Sequence, residues 1–141
     1  MEITLEKLTE IVRNSWDDSP VTDNPALGSC IETALIVQDY FGGELLYADF
    51  SSELQEILGS ICLCHCWNKL PNGEEVDLSI DQFPHEKRGL IPAGRVVNRQ
   101  DFISDKENDL DPCSVRSKYI RLSNRVAQYL VRDPAQLGQP A

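Results

Sequence analysis

The chain has no apolar run approaching the ~20 residues that a membrane-spanning helix needs. Its opening, MEITLEKLTE, is acidic and amphipathic, without the basic-then-apolar order of a secretory signal. Bases are scarce: 13 Lys and Arg stand against 23 Asp and Glu, a net charge of −10. That balance argues against a nucleic-acid surface, because phosphate binding draws on clustered Lys and Arg. The five cysteines are an odd number, and with no export signal the expectation is reduced thiols in a cytoplasm. No internal repeat is visible, and no C-x-x-C pair of the kind common in zinc sites.

What is present has the balance of a globular protein, with 41% apolar and 26% charged residues. A chain of 141 residues can bury roughly two-thirds of its unfolded surface in one core. The expectation is a single α+β domain over residues 1–132, with 133–141, rich in Pro, Gly and Gln, as a frayed tail. Charge is uneven along it. Residues 1–60 hold twelve acids and two bases, and residues 61–141 hold eleven of each. The first half is either a solvated acidic face or a surface for a cationic partner.

Helical spacing of Leu5, Leu8, Val12 and Trp16 predicts a first helix over residues 5–15, with Thr4 as its cap. The stretch Trp16 to Gly28 carries Pro20, Asn24-Pro25 and Gly28 and reads as a long loop, a feature often functional in a compact domain. Ser29 followed by Glu32 reads as a capping box, which puts Cys30 at the first position of a helix that Gly42-Gly43 ends. Cys30, Ala34, Val37 and Phe41 share a face of it. Glu44 to Phe50 reads as a strand, followed by a short polar or helical segment over residues 51–58. Between Asp81 and Asp111 the pattern is broken by Pro84, Gly89, Pro92 and Gly94, and an acid-rich loop is expected over 105–111. A last helix is predicted from Ser114 to Arg132, with Tyr119, Leu122, Val126, Tyr129 and Leu130 as its core stripe. Its bases Arg116, Lys118, Arg121, Arg125 and Arg132 can answer the acidic half.

The densest chemistry lies in Ile61 to Asp77, ICLCHCWNKLPNGEEVD, a strand, turn and returning strand. Alternation on a strand turns Cys62, Cys64 and Cys66 to one face and Leu63, His65 and Trp67 to the other. Same-face neighbours stand about 6.6–7 Å apart, too far for three sulfurs to close a tetrahedron with ~2.3 Å bonds. Small thiols packing a helix on a sheet are the expectation, with no metal. Two turns are open to Pro71-Asn72-Gly73. A two-residue type I′ turn would make Pro71 owe the ladder an N–H it lacks. A three-residue loop with Gly73 in a bulge suits the fixed φ of Pro71 and is favoured. It pairs Leu70 with Glu74, sets Trp67 opposite Asp77 and His65 opposite Ser79, and leaves His65 and Asp77 diagonal neighbours on one face.

A nucleophilic thiol needs a lowered pKa, a base in reach and a group to orient that base. At a helix start, the free amides and the dipole favour a Cys30 thiolate, with Glu32 working weakly against it. Those amides also suit an oxyanion. The order Cys30, then His65-Cys66-Trp67, then Asp77 resembles the papain-like superfamily, above all its transglutaminase-like branch. More closely, NPALGSC, TALIVQDYFGGELL, HCWNKLPNGEEVDLSIDQF and SKYIRLSNRV resemble the YunG family of small bacterial proteins and together cover roughly half the chain.

The resemblance implies a papain-like α+β fold, N-terminal helices packed on a small antiparallel sheet with a C-terminal helix. It also implies a thiol-dependent hydrolase or acyltransferase acting on an amide or acyl group of a small molecule or peptide, without a cofactor. In that scheme Cys30 attacks, His65 serves as base and then acid, and Asp77 orients His65. Ser29, Trp67 and Asn24 would line the substrate site. Ser29 stands where related sequences tend to carry Gln, which leaves the oxyanion donor to Asn24 or the more distant Gln38. Trp67 either shields the pair from water or serves the core, and His85 reads as surface. The second expectation is a non-catalytic acidic binding or regulatory module on the same fold. Its variant is an immunity-type protein that covers a basic toxin, supported by charge alone.

Overall fold

The computed structural model describes residues 3–16, 29–58, 64–103 and 114–132. Asn24, Cys62, the loop over 17–28, the acid-rich loop over 105–111 and the tail over 133–141 lie outside the described residues.

Helix α1 spans Leu5–Ser15, where Thr4 takes the Lys7 amide on its hydroxyl at 3.2 Å as the N-cap. Helix α2 spans Cys30–Phe41. Its first position is as expected, but the capping box does not form: Ser29 makes no side-chain cap bond, and its ψ of 8° is not the extended value of a capping residue. Glu32 is instead buried, with the Lys118 ammonium 3.7 Å away. Gly42 and Gly43 end α2 with φ of 74° and 83°, a region that favours glycine. Strand β1 (Glu44–Asp49) follows at once, then α3 (Ser52–Leu58), β2 (Cys64–Lys69) and β3 (Glu75–Val76). Three 3₁₀ turns, Ile80–Gln82, His85–Leu90 and Arg99–Asp101, bracket β4 (Arg95–Val97), and α4 runs from Val115 to Arg132.

The four strands form one antiparallel sheet in the order β3-β2-β1-β4. The register Tyr47↔Cys66 and Ala48↔His65 sorts side chains between two faces. Leu45, Cys66 and Asn68 face α2, where Leu45 and Cys66 pack with Cys30, Ala34 and Leu35. The Asn68 amide donates to the Ala34 carbonyl at 2.8 Å, joining β2 to α2. The other side of α2 packs Ile36 and Val37 with Leu8, Ile11 and Val12 of α1 and Leu122 and Val126 of α4. Both sides of α2 are therefore buried, rather than the single Cys30–Phe41 stripe expected. Each such Leu, Ile or Val contributes about 1.5–3 kcal/mol by leaving water. The second sheet face carries Leu46, Ala48, His65 and Trp67. It is covered by the segment from Ile80 to Gly94, with Phe83 closing on Phe50 and Leu58 of the α3 region.

Candidate functional site

The β2–β3 turn has the bulged form. The Leu70 carbonyl accepts from the Gly73 amide and the Leu70 amide donates to the Glu74 carbonyl, both at 2.8 Å. Gly73 takes a φ of 89°, and the Asn72 side chain receives the Glu74 amide at 2.9 Å. This register pairs Lys69 with Glu75 and Asn68 with Val76, and it brings Asp77 to the His65 face of β2. His65 Nε2 and Asp77 Oδ2 are 2.5 Å apart.

Ser79 does not continue the ladder opposite His65, because the chain turns away into the 3₁₀ turn Ile80–Gln82. That turn delivers Gln82, whose amide nitrogen lies 3.0 Å from His65 Nδ1. With the Gln82 amide donating to Nδ1, the imidazole carries its proton on Nε2 and donates to the Asp77 carboxylate. Ser79 donates instead to the other Asp77 oxygen at 3.4 Å. The ring is clamped on its flat side by Trp67, stacked at 5.3 Å, and on its edge by Phe83 at 4.8 Å and 89°. His65 has no exposed surface. Both ring nitrogens are engaged by side chains.

Asp77, with 18% of its side chain exposed, meets solvent through a pocket of about 290 Å³. Trp67, Glu75, Ile80, Arg88 and Ile91 are among the residues of its wall. Glu75 accepts the Trp67 indole N–H at 2.9 Å. Gly94 lets the chain pass over that indole: a Cβ there would sit 2.7 Å from the ring. Arg88 is turned to the Phe83 carbonyl at 3.2 Å and to Asp81 at 3.3 Å.

Cys30 lies across the sheet from this pocket. Its thiol belongs to the cluster of Cys66, Ala34 and Leu35, and only 5% of the residue is exposed. His65 and Cys66 are consecutive on β2 and point to opposite faces, so the imidazole and the Cys30 thiol are directed apart. The helix start does not depress the Cys30 pKa. Burial pushes it well above the ordinary value, the neighbouring Cys66, Cys64 and Glu32 add to the rise, and a backbone hydrogen bond at Cys66 offsets part of it. Cys66 is pushed up to about 12, by burial first and then by Cys64, Asp77 and Glu32. Cys64 is half-buried on the same face.

Of the residues singled out from sequence, His65, Asp77 and Trp67 come together, while Cys30 joins the α2 side and Ser29 sits half-buried at the start of that helix. His85 is exposed. Gln82, Glu75 and Arg88 were not anticipated. Gln82 follows the hairpin within LSIDQF, where no periodic pattern marks it as buried. Glu75 had a usable signal, since the bulged turn sets its position on β3 beside Trp67.

The molecule is thus a small α+β protein in which a helical layer covers one face of a four-stranded antiparallel sheet and a pinned carboxylate opens from the other. The family model described as YunG protein matches residues 4–131, and the chain belongs to the YunG family. Neither the curated proteins nor the solved structures hold a match to it. Among the described residues no helix is long and apolar enough to cross a membrane.

Proposed function

We propose that the chain is a non-catalytic acidic binding module whose working surface is the pocket in front of Asp77. One observation carries the reading: Cys30 and His65 are directed to opposite faces of β2. A thiol enzyme needs its base within about 4 Å of the nucleophile and a thiolate formed near neutral pH. The burial of Cys30 and the upward displacement of its pKa work against both. The buried His65–Asp77–Gln82 network instead fixes a carboxylate at a concave surface, an arrangement suited to binding.

The second reading is a papain-like hydrolase or acyltransferase in which Cys30, His65 and Asp77 act together. It draws on the order of those residues and on the contact between His65 and Asp77. A cytoplasmic site of action fits the free thiols of Cys30, Cys64 and Cys66. The two readings separate on a panel of amide and thioester substrates assayed with the wild type and Cys30→Ala. The binding module predicts no difference between the two proteins and no acyl adduct on Cys30 by mass spectrometry. Turnover that disappears in Cys30→Ala, or an adduct on that thiol, overturns it.

A further inference from the structure

We infer that the pocket in front of Asp77 takes a small organic ammonium ion with a short aliphatic stem, an inference that rests on the binding-module reading and names its ligand. Size sets the first limit. About 290 Å³ lies at the lower end of ligand pockets and admits a short chain rather than a nucleotide or a sugar oligomer.

Charge sets the second. Two carboxylates, Glu75 and Asp77, line the pocket. Glu75 receives the indole N–H of Trp67, and Asp77 is met by His65 on one oxygen and by the Ser79 hydroxyl on the other. A carboxylate offers about four acceptor sites, so both retain capacity toward a ligand. The Gln82 amide nitrogen meets His65 Nδ1 on the side of the ring away from Asp77, so the imidazole is held where it orients the carboxylate. Arg88 is the one base among the lining residues, and its guanidinium is engaged by Asp81 and the Phe83 carbonyl. The field inside is therefore negative, and it acts beside apolar walls that strengthen it relative to open water.

Shape supplies the third limit. Ile80, Ile91, Pro92 and Ala93 give the same pocket an apolar part to its lining. An aliphatic stem packs on those side chains while its ammonium head reaches Asp77 and Glu75. An ammonium suits the site better than a metal ion. A hard cation would need six or more oxygens, and among the described residues no group of three His, Cys, Asp or Glu side chains could hold one.

The test uses 1,5-diaminopentane as the ammonium probe and pentan-1-ol as its uncharged control, at constant ionic strength, in the full chain. Binding is read by amide chemical shifts and by Trp67 fluorescence in a Trp16→Phe background. The diamine is expected to saturate and to shift Asp77, Glu75 and Trp67, with the alcohol giving no saturable change. Asp77→Asn and Glu75→Gln keep an oxygen for His65 and for the Trp67 indole, so they preserve the local hydrogen bonds while removing charge. Each is expected to weaken the diamine by about tenfold or more, and less as salt rises. No saturation by the diamine, equal binding of the alcohol, or unchanged affinity in both folded variants overturns the inference. A peptide with one free lysine serves as the second arm, and tighter binding of it than of the diamine overturns the small-molecule source. Cys30→Ala is run in parallel. It is expected to bind the diamine normally, and its substrate panel decides the binding-module reading independently of any diamine result.

Discussion

His65 and Cys66 are adjacent in the chain yet belong to different halves of the protein. The imidazole of His65 stacks on Trp67 behind the Asp77 pocket, and the thiol of Cys66 packs against Cys30 under α2. One residue of strand period separates the polar network from the thiol core.

The thiol core makes the protein sensitive to alkali. Cys30 and Cys66 hold their protons more tightly when folded than when unfolded. Their contribution to stability is therefore complete below the ordinary thiol value of about 9 and is lost as pH rises above it, for Cys66 through the window toward about 12. Above pH 9 each costs roughly 1.4 kcal/mol per pH unit until its folded-state pKa is reached. Urea unfolding between pH 8 and about 10.5 should show a falling midpoint. Cys66→Ala should make that fall shallower, and an equally steep fall in the variant would count against a buried Cys66.

The His65–Asp77 bond should be expensive to break from either side. Asp77→Ala leaves a buried imidazole N–H without its acceptor, at a cost of about 1–3 kcal/mol. Asp77→Asn can still accept from Nε2 and should cost less than Asp77→Ala. Thermal melts of the two variants check the order, and the reverse order would mean that charge rather than the hydrogen bond holds the pair.

Gly43 and Gly73 both adopt positive φ, and they should respond differently to alanine. At Gly43 an added Cβ would meet the Lys69 carbonyl at 2.2 Å, so Gly43→Ala combines strain with a backbone collision between the α2–β1 junction and the end of β2. At Gly73 nothing lies within 4 Å, which leaves only the conformational penalty. The expected losses are about 1–2 kcal/mol for Gly73→Ala and clearly more for Gly43→Ala. Equal losses by chemical denaturation would place the cost in φ alone.

Asn68 ties the sheet to α2 through one buried bond to the Ala34 carbonyl. Asn68→Ala should cost about 1–3 kcal/mol, because that bond is lost and a small void is left beside α2. Hydrogen exchange should quicken along β2 and the middle of α2 ahead of α1. Uniform quickening across all three would show that Asn68 supports the whole fold rather than this contact.

Much of the frame was readable from local rules. The Thr4 cap, the Gly42-Gly43 stop and the Pro71-Asn72-Gly73 bulge each depend on a few neighbouring residues, and each formed as those residues require. The bulge also fixed which face Asp77 would share with His65. Beyond it local rules ended. Strand β4 is three residues long between Gly94 and Asn98, too short to carry a period. Gln82 reaches His65 only because a 3₁₀ turn follows β3.

Cys30 takes the first position of α2 that its sequence predicts, and burial there raises the thiol pKa where a solvated helix start would lower it. A helix start favours a thiolate only where water or a cation can reach it, and α2 is buried along both sides. Alternation had already assigned the cysteines of β2 to the helix side. The same rule, carried one step further, puts any thiol on α2 with Cys66 rather than with His65. Glu32 was likewise drawn from its capping position into the interior near Lys118.

The most direct test of this division is the pH profile of Cys30 alkylation by iodoacetamide, followed site by site between about pH 5 and 9. A buried thiol turned away from His65 should react slowly, no faster than half-buried Cys64, with a rate that keeps falling as pH drops and does not change in Asp77→Asn. A plateau of fast Cys30 labelling at low pH, lost when Asp77 is changed, would contradict the account, because only a thiolate paired with the His65 imidazolium behaves that way.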